Sequence, residues 1–320
     1  MERIKVGVVG VGYFGQYHAE KYAGMEGVEL VGVADVDSSR VEEVAHRFQT
    51  RPFYDHRDLI DKVRAVSIAV PTQYHYQVTA DFFNQGVDVL LEKPITSTLE
   101  EANRLIELGK AKGLILQIGQ LERFNGAFVA SKEIIQNPLR IESFRTSPFP
   151  GRGIDVNVVL DLMIHDIDIL LSVVPSEVRQ IHASGMPVVT PQLDTASARV
   201  EFENGCIANL EANRVAEEKV RKTRIHQANG SLTIDYLFQR ASFSRRGMVS
   251  DEGTSGEPCQ EIPVQKVDLL GAEIQSFLQS VRHRKAARVS GWDGRRALEV
   301  ALKIVRTISE ETQPSKTEQN

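Results

Sequence analysis

The sequence predicts an α/β fold, with an N-terminal doubly wound parallel sheet followed by an α+β domain that has a largely antiparallel, open sheet. Three observations support this prediction. The chain has 320 residues, which exceeds the usual length of a single domain. Its first part alternates strand patterns with helical patterns, and its later part contains strands in series.

The first part of the chain holds five apolar runs typical of buried parallel strands. We expect strands at residues 4–9, 28–34, 65–70, 88–92 and 114–119. Helical patterns lie between them, at residues 15–23, 39–48, 74–85 and 99–112, and a short helix begins at Asp58. Because parallel neighbours need crossover connections, these helices should cover both faces of the sheet.

The first strand runs into a glycine-rich loop, Gly10-x-Gly12-x-x-Gly15. Gly10 allows a tight turn, Gly12 lets backbone N–H groups approach a pyrophosphate, and Gly15 lets the next helix pack closely. That helix also presents the positive end of its dipole to the phosphates. The pattern predicts a dinucleotide site of the Rossmann type, which includes the loop residues Tyr13 and Phe14.

An acidic residue, Asp35, follows the second strand at about the distance where a carboxylate binds the adenosine ribose. A carboxylate there suits the free hydroxyls of NAD and repels the 2′-phosphate of NADP. Asp37 adds a second negative charge, although Arg40 lies close by in the sequence. We therefore expect NAD to be the cofactor in preference to NADP.

The pattern changes after Gln120. Helices are expected at residues 124–136 and 156–174, and strands at residues 140–146, 177–183, 195–202, 206–213, 220–227 and 231–236. Asn204-Gly205 is a strong hairpin signal between two of these strands. Strands in series after βα units indicate a separate α+β domain.

We expect an NAD-binding domain at residues 1–120 and a substrate-binding and oligomerisation domain at residues 121–311. Two closing helices, near residues 269–284 and 293–309, should pack back against the domains. Residues 312–320 are polar and are predicted to form a disordered tail.

Composition excludes several classes of function. A formal net charge of −5 without a long basic face argues against binding to nucleic acid. No apolar run approaches the roughly 20 residues that span a bilayer, and the N-terminus enters a strand without a signal-peptide pattern. Cys206 and Cys259 show neither C-x-x-C nor metal-site spacing. We expect a cytoplasmic protein with no metal site.

Two motifs follow the third and fourth of these predicted strands, where open α/β sheets bind their ligands. They are Pro71-Thr72-x-x-His75 and Glu92-Lys93-Pro94. We expect five of these side chains to line the nicotinamide end of the cofactor: Pro71, Thr72, His75, Glu92 and Lys93. Pro94 could fix the turn through a cis bond. From the residues alone, Lys93 could instead be a surface lysine at the end of a strand.

A third motif lies on the predicted helix at residues 156–174. Asp161, His165 and Asp168 stand at i, i+4 and i+7 and share one face beside an apolar stripe. A histidine titrates close to neutral pH, so His165 could remove a hydroxyl proton during hydride transfer. Asp161 would then orient the imidazole or bind a neighbouring hydroxyl. Alternatively, Asp161 caps the helix and His165 is a buried structural residue.

Taken together, these motifs resemble the glucose–fructose oxidoreductase, inositol dehydrogenase and rhizopine catabolism (Gfo/Idh/MocA) family. The resemblance rests on Gly10-x-Gly12-x-x-Gly15-x-x-His18, Pro71-Thr72-x-x-His75, Glu92-Lys93-Pro94 and Asp161-x-x-x-His165. It implies a catalytic lysine at Lys93 and an Asp–His catalytic pair at Asp161 and His165. It also implies a subunit interface on the open sheet, and hence a homodimer or homotetramer.

Within this family, residues 120–125, 160–169 and 203–210 are similar to bacterial and archaeal UDP-N-acetylglucosamine 3-dehydrogenases. This similarity implies oxidation of the sugar 3-hydroxyl to a ketone, often for a partner aminotransferase. The candidate substrate residues are Arg123, Phe124, Asn125, Arg152 and Asp168. Arg123 and Arg152 could bind a diphosphate through bidentate contacts, or be solvated or ion-paired.

In the mechanism that we expect, His165 is the base, and Lys93 stabilises the developing alkoxide. The two roles exchange if burial lowers the lysine pKa towards neutrality. A free sugar or an inositol-type polyol is the alternative substrate for the same fold. A non-catalytic NAD-binding regulator and a biliverdin-reductase-like enzyme are further alternatives, since both use this architecture.

Overall fold

The computed structural model describes residues 3–149, 151, 156–246 and 259–311. The chain forms two compact units. The first comprises Met1–Leu121 and Asp268–Arg295, and the second comprises Glu122–Val267 and Arg296–Asn320. The tail predicted at residues 312–320 lies outside the described residues.

A six-stranded sheet lies at the centre of the first unit. Its strands are β1 (Ile4–Val9), β2 (Val28–Ala34), β3 (Arg51–Phe53), β4 (Ala65–Ile68), β5 (Asp88–Glu92) and β6 (Leu116–Gly119). They are ordered β3-β2-β1-β4-β5-β6, and every neighbouring pair is parallel. The strand order reverses between β1 and β4, and ligands bind such sheets at this reversal. The predicted doubly wound parallel sheet is confirmed.

An eight-stranded sheet forms the second unit. Its strands are β7 (Arg140–Thr146), β8 (Val178–Met186), β9 (Thr195–Phe202), β10 (Ile207–Asn213), β11 (Val220–Gln227), β12 (Gly230–Asp235), β13 (Arg240–Arg245) and β14 (Cys259–Ile262). The order is β14-β13-β12-β11-β7-β10-β9-β8, and only the β7–β10 pair is parallel. The largely antiparallel sheet that the sequence predicts is therefore confirmed.

The described residues also form eight α-helices. They are α1 (Gly15–Gly24), α2 (Ser38–Arg47), α3 (His75–Asn84), α4 (Leu99–Ala111), α5 (Gly126–Ser131), α6 (Ile164–Val173), α7 (Leu269–His283) and α8 (Gly291–Glu311). Side chains cap several of them: Asp37 accepts the N–H of Arg40 at the start of α2, and Thr98 accepts the N–H of Glu101 at the start of α4.

Each sheet buries apolar side chains against its helices. In the first unit, Val6 and Val8 of β1 pack in one cluster with Phe277 of α7. In the second unit, the strands bury alternate residues, as in the pattern of β7, where Ile141 and Ser143 are buried and Phe144 is exposed. One face of this sheet thus meets α5, α6 and α8, and the alternate residues point away from that core.

The structure differs from the expected elements in two helices and three strands. The helix expected at residues 124–136 is the short α5, preceded by a 3₁₀ turn at Leu121–Phe124. The helix expected at residues 156–174 begins with a π-helical turn at Val159–Met163 and continues as α6. β3, β13 and β14 were not expected. Among the described residues, no helix combines the length and apolar character needed to cross a bilayer.

Candidate active site

The glycine-rich loop joins β1 to α1 and has the geometry that a dinucleotide site requires. Gly10 adopts a φ of +81°, which a residue with a Cβ rarely takes. A Cβ on Gly15 would lie 1.7 Å from the carbonyl oxygen of Gly10, so α1 can start here only with a glycine. A Cβ on Gly12 would meet no atom within 4 Å, so this side of the loop is open to a ligand.

Asp35, which follows β2, joins the glycine-rich loop to the start of α2. Its Oδ2 accepts the N–H of Val11 at 2.8 Å, and its Oδ1 accepts the N–H of Asp37 at 3.0 Å. Nη1 of Arg40 lies 3.7 Å from Asp35, and Nη2 lies 3.0 Å from Asp37. The carboxylate is therefore fixed beside the loop, where the sequence analysis expects it to bind ribose.

The loops that follow β4 and β5 are tied together by His75. Its ring is buried, with Nδ1 2.8 Å from the carbonyl oxygen of Pro94 and Nε2 2.9 Å from that of Val70. Burial lowers the pKa of His75, although the two carbonyl acceptors oppose this shift. The ring thus holds two loops of the predicted nicotinamide site in place, while Pro71 and Thr72 are more exposed.

Lys93 is half-buried directly after β5, and its bond to Pro94 is cis, which the sequence leaves open. The backbone N–H of Lys93 donates to Oε2 of Glu92 at 3.3 Å. Oε1 of Glu92 lies 3.1 Å from Nε2 of the buried His18. The Glu92 carboxylate therefore contacts protein groups of the first unit on both of its oxygens.

Asp161 and His165 lie where the π-helical turn passes into α6. Both side chains are half-buried, whereas their neighbours Val159, Met163 and Ile164 are buried in the core of the second unit. Single π-helical turns inside α-helices occur frequently at functional sites. The local pattern therefore keeps the proposed base and its partner on the less buried side of an otherwise buried helix.

A buried charge network fixes α6 against β7. Nε of Arg145 donates to Oδ2 of Asp166 at 2.7 Å, and Nη2 donates to Oδ1 at 3.0 Å. Nη1 of Arg145 donates to Glu122 at 2.8 Å, and the hydroxyl of Ser143 donates to Asp166 at 3.0 Å. Burial opposes the charge of Arg145, but Asp166 and Glu122 outweigh it and raise the pKa of Arg145. The residue next to His165 is therefore held by a bidentate ion pair.

Arg221 of β11 stands at the edge of this network. Its Nη1 lies 3.6 Å from Glu122, and about a third of its side chain is exposed (33%). Burial and the charge of Arg145 lower the pKa of Arg221. Arg145, Asp166 and Arg221 were not among the residues predicted from the sequence, although the strand alternation of β7 places Arg145 on the same face as the buried Ile141 and Ser143.

Most candidate substrate residues bind one another or lie inside the second unit. Nε of Arg123 donates to Oδ2 of Asp168 at 2.7 Å, and both side chains are largely buried. Phe124 is buried. Asn125 is also buried, where it donates to Glu122 and to the carbonyl of Tyr236 and accepts the N–H of Ala127. Arg152 lies outside the described residues. A substrate contact at these positions stays a prediction.

Comparison with protein families and curated proteins identifies the relatives of this chain. Residues 4–120 match the Gfo/Idh/MocA oxidoreductase family with an NAD-binding Rossmann fold, and residues 117–233 match the C-terminal domain of the same family. The UDP-N-acetylglucosamine 3-dehydrogenase of Acidithiobacillus ferrooxidans is 35% identical over 305 residues, which cover 95% of this chain and 97% of that protein. The myo-inositol 2-dehydrogenase of Thermotoga maritima is 25% identical over 96% of this chain and 97% of its own length.

Solved structures show the same relationship. The A. ferrooxidans UDP-N-acetylglucosamine 3-dehydrogenase superposes with a TM-score of 0.91 and 33% identity, covering 98% of this chain and 100% of that chain. The scyllo-inositol dehydrogenase of Lactobacillus casei, solved with bound NAD(H) and scyllo-inositol, gives a TM-score of 0.82 at 22% identity, covering 97% of this chain and 98% of that chain. The second similarity shows a shared fold.

Proposed function

Because this chain belongs to the Gfo/Idh/MocA oxidoreductase family, we propose that it oxidises the 3-hydroxyl of UDP-N-acetylglucosamine to a ketone with NAD. The observation that carries the proposal is the similarity to the A. ferrooxidans enzyme of that name, which extends over nearly the whole of both chains. The chain also carries Lys93, Asp161 and His165, the residues to which we assign the chemistry of alcohol oxidation.

The first unit fits NAD by its own geometry. The open side of Gly12 admits a pyrophosphate to the N-terminus of α1, and the fixed carboxylate of Asp35 suits ribose hydroxyls. Pro71, Thr72 and Lys93 would hold the nicotinamide end. When bound, NAD supplies the acceptor for the hydride that leaves the oxidised carbon. NAD is preferred to NADP because Asp35 and Asp37 place negative charge where a 2′-phosphate would lie.

His165 is the proposed base. A neutral imidazole can take the hydroxyl proton as the carbon loses hydride, and general-base assistance of this kind is worth about 10²–10⁴-fold in rate. Asp161, four residues earlier, orients the ring or binds a neighbouring sugar hydroxyl. The ion pair between Asp166 and Arg145 fixes the helix that carries His165, so little reorganisation precedes proton transfer.

Lys93 is proposed to donate a hydrogen bond to the same hydroxyl oxygen. An ammonium group stabilises the partial negative charge that develops there, an electrostatic contribution that is largest in a site shielded from water. The backbone N–H of Lys93 is held by the carboxylate of Glu92, which fixes the chain at the residue that carries the donor.

The other predicted partners remain part of the proposal. A cation for the substrate diphosphate could come from Arg123, Arg152 or the partly exposed Arg221. The ketone product would suit a partner aminotransferase, which converts carbonyls to amines. Self-association through the open face of the second sheet would give a dimer or tetramer.

A free polyol is the second candidate substrate. The T. maritima myo-inositol 2-dehydrogenase matches nearly the full length of this chain, at lower identity. Both reactions oxidise a secondary hydroxyl, so the same base and cation would serve either. The two candidates differ in whether a diphosphate contributes binding energy.

A substrate panel tests the proposal. NADH formation is measured with UDP-N-acetylglucosamine, UDP-glucose, N-acetylglucosamine and myo-inositol, each with NAD and with NADP. A parallel reaction also contains an aminotransferase and an amine donor. These convert the ketone to an amine, so that an unfavourable equilibrium does not hide the oxidation. Turnover that requires UDP-N-acetylglucosamine and NAD supports the proposal. Activity on myo-inositol alone would favour the polyol reaction, and NAD binding without turnover on any substrate would favour a regulator.

A further inference from the structure

A buried cluster of polar side chains surrounds Glu92 in the first unit. Apart from Glu92, its members have no role in the proposed chemistry. It consists of His18 and Tyr22 of α1, Ser67 of β4, Glu92 of β5 and Glu273 of α7, and we call it the Glu92 cluster. The hydroxyl oxygens of Tyr22 and Ser67 are 2.8 Å apart. Ser67 Oγ lies 3.0 Å from Nδ1 of His18, whose Nε2 lies 3.1 Å from Oε1 of Glu92.

The chemistry of these groups gives the hydrogen bonds one consistent direction. An ionised Glu92 only accepts, so Nε2 of His18 donates to it. In a neutral ring Nδ1 then accepts from Ser67, and the oxygen of Ser67 accepts from Tyr22. The chain of donors ends on Glu92, and each bond polarises the next.

Glu273 differs from the other members of the cluster. Its side chain is fully buried, and neither carboxyl oxygen has a hydrogen-bond partner among the residues that the structure describes. One of its oxygens nevertheless lies within 4.8 Å of ligand atoms of both His18 and Glu92. Its backbone is fixed as well, because Nε2 of Gln117 donates to the carbonyl of Glu273 at 3.0 Å.

The neutral acid is the form that this environment favours. Burial raises the pKa of Glu273 well above its ordinary value, and the nearby charge of Glu92 raises it further. The titratable groups that face Glu273 are His18 and Tyr22 from α1 and Glu92 from β5. Two adjacent buried carboxylates would repel each other, whereas a carboxylic acid beside a carboxylate does not.

We propose that Glu273 is a positioning residue for Lys93: packed beside the Glu92 carboxylate, it confines that carboxylate against His18, and Glu92 in turn holds the backbone N–H of Lys93. The inference rests on the proposed function, in which Lys93 contacts the reacting oxygen. It extends that function because Glu273 lies on α7, far along the chain from the Glu92-Lys93-Pro94 motif, and its side chain is fully buried.

Two substitutions separate the polar role of Glu273 from simple packing. Glu273→Gln keeps the shape and a polar donor without the possibility of charge, and it should retain kcat within about twofold. Glu273→Leu removes the polar groups and changes the shape of the side chain. It should lower kcat by about tenfold or more, since a small misplacement of a catalytic group costs up to about 10²-fold in rate. The Kd for NAD should change little in either variant.

The melting temperature distinguishes a positioning role of Glu273 from a purely structural role. If Glu273 only stabilised the fold, its loss would lower Tm together with kcat. Replacing an unpaired buried carboxyl by an apolar side chain is neutral or stabilising, so Glu273→Leu should keep or raise Tm while it loses kcat. Ser280→Ala, on the same helix and outside the cluster, is the matched control and should leave kcat unchanged.

A measurement without turnover tests the same inference. The rate at which trinitrobenzenesulfonate modifies Lys93, followed by peptide mass spectrometry, reports the environment of its amine. Glu273→Leu should change this rate several-fold, and Glu273→Gln should match the unsubstituted protein. Lys93→Met identifies the modified peptide. This result does not depend on which substrate the enzyme uses.

Three outcomes would overturn the inference. Unchanged kcat and unchanged Lys93 labelling in Glu273→Leu would show that Glu273 does not position Lys93. Equal losses in the Gln and Leu variants would require an ionised Glu273. One equivalent of metal in the purified protein, lost in Glu273→Gln, would make the cluster a cation site. In contrast, full turnover of Lys93→Met would refute the proposed function itself. The labelling of Lys93 in the Glu273 variants would still show whether Glu273 affects the environment of Lys93.

Discussion

Lys93 and His165 are the two residues on which the proposed reaction depends most directly. Lys93→Met and His165→Asn should each lower kcat by about 10²–10⁴-fold, because one loses the charge on the developing alkoxide and the other loses the base. The Kd for NAD, measured by calorimetry, should change far less than kcat, since the glycine-rich loop and Asp35 are untouched.

Lys112→Met serves as the control for these variants, because this lysine lies exposed at the end of α4 and bonds only a backbone carbonyl in the first unit. It should retain full activity. Wild-type kcat in both Lys93→Met and His165→Asn would contradict the assigned roles.

Asp35 is the residue that should set cofactor preference. Asp35→Asn keeps an acceptor for the N–H of Val11 but removes the negative charge. The ratio of kcat/KM for NAD to that for NADP should fall by about tenfold or more, which corresponds to about 1.4 kcal/mol. Asp37→Asn keeps the cap of α2 and should change the ratio less. An unchanged ratio in Asp35→Asn would remove Asp35 from this role.

The sequence predicted individual residues well where a local motif demands one residue type. Gly10 and Gly15 are of this kind. It could not predict neighbours that are distant along the chain: the ion pair of Arg123 with Asp168 and the proximity of Glu273 to Glu92 arise from tertiary packing. Helical spacing placed Asp168 on the same face as His165. It could not show that Asp168 pairs with Arg123, which belongs to another element.

The contact between β7 and α6 is the feature that holds His165 at the level of secondary structure. Arg145→Met should destabilise the protein by about 3–5 kcal/mol, because it leaves Asp166 buried without its cation and leaves Glu122 with the more distant Arg221. Urea unfolding measures this loss.

Arg140→Met on the same strand is the matched control. Arg140 is exposed and pairs with Glu142 at the surface, so its loss should cost at most about 1 kcal/mol. Equal effects of the two substitutions would show that the buried network does not stabilise α6.

Elements with a long regular pattern were the predictable ones. β9 and β10 alternate buried and outward residues around Asn204-Gly205, and the structure pairs them as an antiparallel hairpin with Gly205 at a φ of +85°. β3 has three residues, too few to show a period. The π-helical turn at Val159–Met163 is one widened turn, which an apolar stripe of helical period does not reveal.

At the scale of the whole molecule, the fold class followed from the change in pattern near Gln120, whereas strand order did not. The reversal of the first sheet between β1 and β4 and the parallel β7–β10 pair join segments that are distant along the chain. The return of α7 to the first unit after the second sheet likewise depends on tertiary packing.

The open face of the second sheet leads to a prediction about assembly. Phe144 points away from the core and is 44% exposed, which suits an apolar contact with a second copy. Light scattering should give a mass that is a multiple of the chain mass. Phe144→Glu should shift the protein towards monomer, and Phe238→Glu, an exposed control in a turn of the second unit, should not. A monomer without substitution would contradict the prediction.

The most direct test of the proposed reaction follows a deuterium atom. UDP-N-acetylglucosamine labelled with deuterium at C3 is incubated with the enzyme, NAD and an aminotransferase trap, and the reduced cofactor is analysed by mass spectrometry. The account predicts deuterium in the NADH and a primary isotope effect on kcat/KM. Unlabelled NADH, formed at the same rate from labelled and unlabelled substrate, would show that the hydride does not come from C3 and would contradict the proposal.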